Sequence, residues 1–160
     1  MNDMLAISRH LPEVEFAPGD TIIEEGASAG AIWVLVSGAL HVRKRNVVVN
    51  VITAPGAVVG EISVLLHTAY GATVEAAQHS VLRHAADGRA LLLSDPAITT
   101  HIAVGLAQRL NFITAYLVDL KHQYGDAPGL AMIPEVLARL TQGQQPVAKT
   151  GSARDAEPEY

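Results

Sequence analysis

The chain has 160 residues, 49% of them hydrophobic and 17% charged, which suits a buried globular core and excludes a disordered polymer. Eleven Lys and Arg stand against sixteen Asp and Glu, a formal charge of −5 that opposes nonspecific attraction to nucleic acid or anionic lipid. With no cysteine, disulfides and thiolate metal sites are excluded, and a cytoplasmic location is expected.

Residues 1–11 carry Met4, Leu5, Ile7 and Leu11 at the spacing of a short amphipathic helix, without the cationic start or apolar run of a secretion signal. No stretch of about 18 apolar residues calls for a membrane span. From Val14 to Ala86 short runs of Val, Ile, Thr and Trp, each ended by Gly, Pro, Asn or Asp, predict an all-β unit of about eight strands. The nearly continuous apolar run Ala31–Val36 suits a strand covered on both faces, which puts Trp33 in the core. Leu40-His41-Val42 and Val47-Val48-Val49 predict a hairpin with Arg43-Lys44-Arg45 at its solvated tip.

Gly60-Glu61-Ile62-Ser63-Val64-Leu65-Leu66, followed by Gly71-Ala72-Thr73-Val74-Glu75-Ala76, reads as a glycine turn, one turn of helix, a loop and a strand. A helix beginning at Glu61 aims its unpaired N–H groups into the space under the loop, where they favour a phosphate. A carboxylate beside a phosphate makes sense where it accepts hydrogen bonds from another part of the same ligand, and a sugar hydroxyl is the obvious donor. The pattern therefore points to a nucleotide. Taken alone, Gly-Glu is equally an ordinary helix start with an acid at its positive end.

After Asp87-Gly88, the segment Arg89–Leu93 predicts a short helix, and Asp95 with Pro96 opens a new one. From there to His122, Ile98, Ile102, Leu106, Leu110, Ile113, Leu117 and Leu120 form one apolar stripe. Val104, Ala107, Ala115 and Val118 form a second, interrupted by Asn111. Such a helix runs roughly 39 Å, longer than a small β-roll covers, so one face can dock on the roll while the other meets a twin. Gly125 and Pro128 break it, Ile133–Leu140 predicts a short helix stopped at Gly143, and the polar stretch 144–160 is expected to be disordered. The expected organisation is an N-terminal helix at 1–11, a ligand-binding unit at 12–122 that includes the long helix 96–122, a helical segment at 123–143 and the tail.

The order Phe16-Ala17-Pro18-Gly19-Asp20, Ile22, Glu25-Gly26, Trp33-Val34, Val36-Ser37-Gly38, Val42, Gly56, Gly60-Glu61, Ala72-Thr73-Val74, Leu106-Ala107 and Arg109-Leu110 resembles the cyclic-nucleotide-binding domain family. The resemblance covers about residues 11 to 120. It implies a mostly β fold with flanking helices: a double-stranded, jelly-roll-like β-roll and a long C-terminal dimerisation helix, as in the sensor domain of cAMP receptor protein-like regulators. It also implies a phosphate-binding cassette at 60–74, with Gly60, Glu61, Ile62, Ser63, Tyr70, Gly71, Ala72 and Thr73 as ligand-binding residues. Glu61 would hold the ribose, and amides around 61–63 and 71–72 the phosphate. The ligand is then cAMP, with cGMP the alternative, and no cofactor is required.

One position departs from the pattern. Where cAMP-binding members place an arginine on the cyclic phosphate, two residues before Ala72, this chain has Tyr70; Ala69 and Gly71 replace a common proline and a usual small residue. Losing a charge-assisted contact of this kind removes about 1.5–3 kcal/mol, and tyrosine offers one neutral donor instead. Arg83 and His67 are nearby cations in sequence, but both are expected at the surface. Thr114 falls near where some members send a hydroxyl toward the base, although a plain seam threonine is the simpler reading.

Regulators of this family continue into a helix-turn-helix, which residues 125–142 are too few to form, so the expectation is a homodimeric sensor without direct DNA binding that signals to an unknown output protein. The alternative is a ligand-free dimerising module of the same fold. A cupin-like metalloenzyme is the remote third. His41, His67, His79 and His84 form no His-X-His pair on a strand, and no Walker loop or Gly-X-Ser-X-Gly elbow is present, so no metal site and no enzyme is expected.

Overall fold

The computed structural model describes residues 3–124 and 131–142. The breaks expected at Gly125, Pro128 and Gly143, and the tail, lie outside them. The chain forms two compact units, Met1–Val104 and Gly105–Tyr160.

In the first unit eight strands make two four-stranded antiparallel sheets. One has the order β1 (Glu13–Phe16), β8 (Ser80–Ala85), β3 (Ile32–Ser37), β6 (Val58–Val59). The other is β2 (Thr21–Ile23), β7 (Thr73–Ala76), β4 (Leu40–Lys44), β5 (Val47–Ile52). Period-two alternation turns Ile23, Leu35, Leu40, Val59, Val74 and Leu82 into one apolar core, with Phe16, Trp33, Val42 and Tyr70 packed against it. Burying each such aliphatic side chain contributes about 1.5–3 kcal/mol. β3 is covered on both faces, as its apolar run predicts: Leu35 joins the core, while Ile32 and Val34 on the other face are also fully buried and helix α1 (Asp3–Ile7) packs on the strand. Trp33 meets Phe16 edge-on at 5.5 Å and stacks on His84 at 4.0 Å, so it also serves as a platform for an imidazole.

Of the basic run only Arg45 lies in the turn itself, and Lys44 and Arg45 are exposed while Arg43 is half-buried. Arg45 and Asn46 both have positive φ, 50° and 65°, the pair of left-handed residues that a tight two-residue hairpin turn requires. This short turn draws Arg43 and Lys44 into β4, where Arg43 Nε binds Glu75 Oε1 at 2.5 Å and Lys44 Nζ donates to Gly71 O at 3.0 Å. Arg83 is not a surface side chain. β8 lies between β1 and β3, and its guanidinium, 13% exposed, donates to Leu5 O, Ser8 Oγ and Glu13 Oε1. It ties α1 and the following 3₁₀ turn (Ser8–His10) to the sheet.

Helix α2 (Glu61–Leu66) follows β6, and α3 (Gly88–Ser94) follows β8. Asp87 caps α3 by accepting from Ala90 N at 2.9 Å. Asp95 accepts from Ala97 N at 2.8 Å and Pro96 opens α4 (Pro96–Tyr124), the start that the Asp-Pro pair predicts. Ile98 and Ile102 on its first turns are buried.

The second unit contains the rest of α4 and α5 (Ile133–Gln142). In α5 an Arg139–Glu135 ion pair spans one turn at 2.6 Å, and Ile133 is buried. Leu110, Phe112, Ile113, Tyr116 and Val118 on α4 stand exposed. Among the described residues no single helix is long and apolar enough to cross a membrane.

Candidate functional site

The cassette begins at Gly60, whose φ of 93° no L side chain adopts comfortably. A Cβ here would also stand 2.8 Å from Ala31 O and 3.4 Å from Tyr70 Cε1, so glycine is what lets β6 turn directly into α2 beside the start of β3. At the far end His67, at φ 56°, closes the helix, and Thr68 N donates to Ser63 O at 3.1 Å. One turn of helix between two left-handed residues is thereby fixed in direction.

Its side chains divide by face. Glu61 is 3% exposed and Ser63 is buried, whereas Ile62, Leu65 and Leu66 face solvent. Of the sequence-predicted residues in this turn, Ile62 can therefore offer a ligand only its main chain. The acid at Glu61 is out of water at the helix's positive end, the placement that favours a carboxylate.

Tyr70 crosses from the loop to β3. Its Oη donates to Ala31 O at 2.8 Å and accepts from Ala31 N at 3.0 Å, and its ring passes beside Gly60 against the core. The phenol's one hydrogen is thus committed to the main chain. Backbone bonds hold the same residue on the other side: Tyr70 N to Ala27 O at 2.9 Å and Gly26 N to Tyr70 O at 2.8 Å. Gly71 receives Lys44 Nζ on its carbonyl. Ala72 leads into β7, where Thr73 lies opposite Arg43 and its Oγ1 accepts from Glu25 N at 3.0 Å. The structure brings Gly60 and Tyr70 together and ties the 70–73 segment to residues 25–27, 31 and 44.

The sequence puts Lys44 at the hairpin tip, whereas it ends β4 with its Nζ on Gly71 O. The signal lay in Asn46, which can take a left-handed turn position and so centres the turn on Arg45-Asn46.

A cavity of about 440 Å³ is lined by Ser28, Gly30, His67, Thr68, Arg89 and Ser63 among others. It shares only Ser63 with the predicted ligand residues. The histidines are dispersed: His79 meets Glu15 at 3.1 Å, His41 lies 3.9 Å from Glu75, and His84 stacks on Trp33. Among the described residues no group of three metal-ligating side chains converges. Thr114 Oγ1 donates to Leu110 O within its own helix at 2.8 Å.

The family of cyclic nucleotide-binding domains matches residues 13–95, and the chain belongs to it. Domains of this family are typically non-catalytic regulatory modules. No curated protein sequence matches the chain. Among solved structures, the regulatory subunit of a cAMP-independent protein kinase A from Trypanosoma brucei is 32% identical over 46% of this chain and 27% of its own, with a TM-score of 0.44. The chain therefore spans about a quarter of that subunit's length. A protein from a cyclic-GMP-dependent signalling pathway that regulates bacterial phytopathogenesis is 24% identical over 69% of this chain and 94% of its own, TM-score 0.58. The N-terminal domain of a transcriptional regulator from Streptomyces coelicolor A3(2) is 24% identical over 71% and 86%, TM-score 0.52. The last two share its fold.

Proposed function

We propose that this member of the family is a regulatory domain that binds a cyclic nucleotide at residues 60–73, cAMP in the first instance and cGMP as the alternative. The observation that carries the reading is Glu61: a carboxylate 3% exposed, set at the first residue of a helix that Gly60 aims. A carboxylate placed there accepts strong hydrogen bonds, and a ribose hydroxyl is a donor that fits it. The first-turn amides of α2 and those of Gly71 and Ala72 take the cyclic phosphate.

Occupancy is passed on through α2. Val64 on its inner face is buried, α2 packs against α3, and Thr99 Oγ1 donates to Leu92 O, which fastens the first turn of α4 to α3. A ligand that binds one position of α2 more tightly shifts α3 and the start of α4 with it, a population shift in the sense of two linked states. The exposed Leu110, Ile113 and Val118 on the two apolar stripes of α4 support a homodimer, and the output goes to a separate protein.

Calorimetry with cAMP and cGMP tests the ligand. Heat of binding that falls at least about tenfold in affinity in Glu61→Ala, and rises about ten- to a hundredfold in Tyr70→Arg, is the expected result. Sedimentation should show a dimer that Ile113→Glu weakens. The second reading, a ligand-free dimerising module, is favoured by one observation, the commitment of the Tyr70 hydroxyl to Ala31. Silence with both nucleotides at millimolar concentration would establish it.

A further inference from the structure

An anion held by the cassette amides binds more tightly with a cation beside it, and position 70 supplies none: Tyr70 is neutral and its hydrogen goes to Ala31 O. The two arginines on the strands are engaged elsewhere. Arg43 is held by Glu75, on the same carboxylate that His41 approaches, and Arg83 is tied to Leu5, Ser8 and Glu13. Arg89 lines the cavity that takes in Ser63 but no other residue of the predicted ligand set.

Lys44 is one residue from Arg43, and strand alternation turns it to the opposite face. The β4–β7 ladder pairs Leu40 with Ala76, His41 with Glu75, Val42 with Val74 and Arg43 with Thr73, without a register shift. Side chains directly opposite in an antiparallel ladder share a face. Leu40, Ala76 and Val74 are buried in the core, so the row Leu40, Val42, Lys44 is the inner row and His41, Arg43 the outer. Lys44, which is solvent-exposed and pairs with the exposed Val47 at the end of the β4–β5 hairpin, continues that row beyond the last core pair, beside the 70–72 segment. Its Nζ reaches Gly71 O at 3.0 Å, and a Cβ on Gly71 would stand 3.8 Å from it, in ordinary contact. That carbonyl uses one of the ammonium's three hydrogens, which leaves two to donate.

We infer that Lys44 is the cation that binds the phosphate of the cyclic nucleotide, replacing from β4 the arginine that position 70 lacks. The inference rests on the nucleotide reading above and adds to it a residue and a mode of recognition. A lysine is a flexible point charge, whereas a guanidinium makes a planar two-point contact. The phosphate is therefore held by charge with little geometric demand, and affinity for it falls with salt.

The test is titration of the full chain with cAMP and cGMP at low and high salt, in the wild type and in Lys44→Gln, Lys44→Arg and Arg45→Gln. Lys44→Gln should weaken binding about tenfold at low salt and much less at high salt, Lys44→Arg should restore it to within about threefold, and Arg45→Gln should change little. Adenosine, which lacks the phosphate, should bind the wild type and Lys44→Gln alike. Tyr70→Arg should gain more in the Lys44→Gln background than in the wild type, because the two cations serve one phosphate. Circular dichroism checks folding, and Lys44→Met, which keeps the aliphatic stem, decides the matter if the glutamine variant is unstable. Wild-type binding that Lys44→Gln leaves unchanged overturns the role of Lys44 and spares the nucleotide reading. A wild type that binds neither nucleotide overturns both.

Discussion

Replacing Tyr70 with phenylalanine separates the two parts that this residue can play, a strut of the cassette or a donor to the ligand. The substitution keeps the ring beside Gly60 and removes only the hydroxyl. Two good hydrogen bonds go with it, to Ala31 O at 2.8 Å and from Ala31 N at 3.0 Å, both at a partly buried position. Ala31 is then left with a main-chain donor and acceptor that water reaches only in part. A buried polar group deprived of its partner costs about 1–3 kcal/mol, and partial exposure places the expected loss near the lower half of that range, about 1–2 kcal/mol. For a chain of this size each kcal/mol lowers the melting temperature by about 2–4 °C, so thermal unfolding followed by circular dichroism should show a fall of roughly 2–8 °C. Affinity for a cyclic nucleotide, measured below the transition, should change by less than about threefold. An unaltered melting temperature together with a tenfold loss of affinity would refute the reasoning, since the hydroxyl would then act on the ligand and not on β3.

Two further substitutions probe how the cassette and the roll are held. Gly60→Ala must place a side chain at φ 93° with its Cβ 2.8 Å from Ala31 O; strain of about 1–2 kcal/mol for the left-handed backbone, plus the contact, should lower the urea midpoint clearly, and a midpoint equal to wild type would show that β6 and α2 can shift apart freely. Arg83→Met keeps the apolar stem but loses the bonds to Leu5 O, Ser8 Oγ and Glu13, so about 1.5–3 kcal/mol should go and amide exchange should accelerate over residues 3–10. Unchanged exchange there would mean that α1 is held by its apolar contacts alone.

Local punctuation explains what could be read from the sequence. Asp87 and Asp95-Pro96 start α3 and α4 where their capping chemistry says they should, and the alternating runs between turn residues give eight strands. The misreadings arise from information that is not local. Arg83 was assigned to the surface from average exposure, but its surroundings depend on β8 lying between β1 and β3, with the 3₁₀ turn brought onto it from 75 residues away. Val47–Val51 is as apolar as a buried strand, yet β5 is an edge of its sheet, and Val47, Val48, Val49 and Val51 are exposed. Arg43 and Lys44 were misplaced because the hairpin turn centres on Arg45-Asn46, and in a strand one residue reverses the face.

The shape of the cassette does not depend on the guanidinium that the family places at position 70. Gly60 and His67 set the direction of α2 through their left-handed backbone, while Gly26 N to Tyr70 O and Tyr70 N to Ala27 O fix the loop from outside through the main chain. None of these contacts involves a charged side chain. The tyrosine adds a further tie to β3 that an arginine would replace by charge, so exchange of the two residues alters electrostatics far more than geometry. Tyr70→Arg is therefore expected to fold and to gain affinity, with a stability loss larger than that of Tyr70→Phe because it loses the phenol's bonds to Ala31 and also the ring packed against the core. Affinity and fold are then separable, because the backbone holds the loop and a charge at position 70 or 44 would act on the ligand alone.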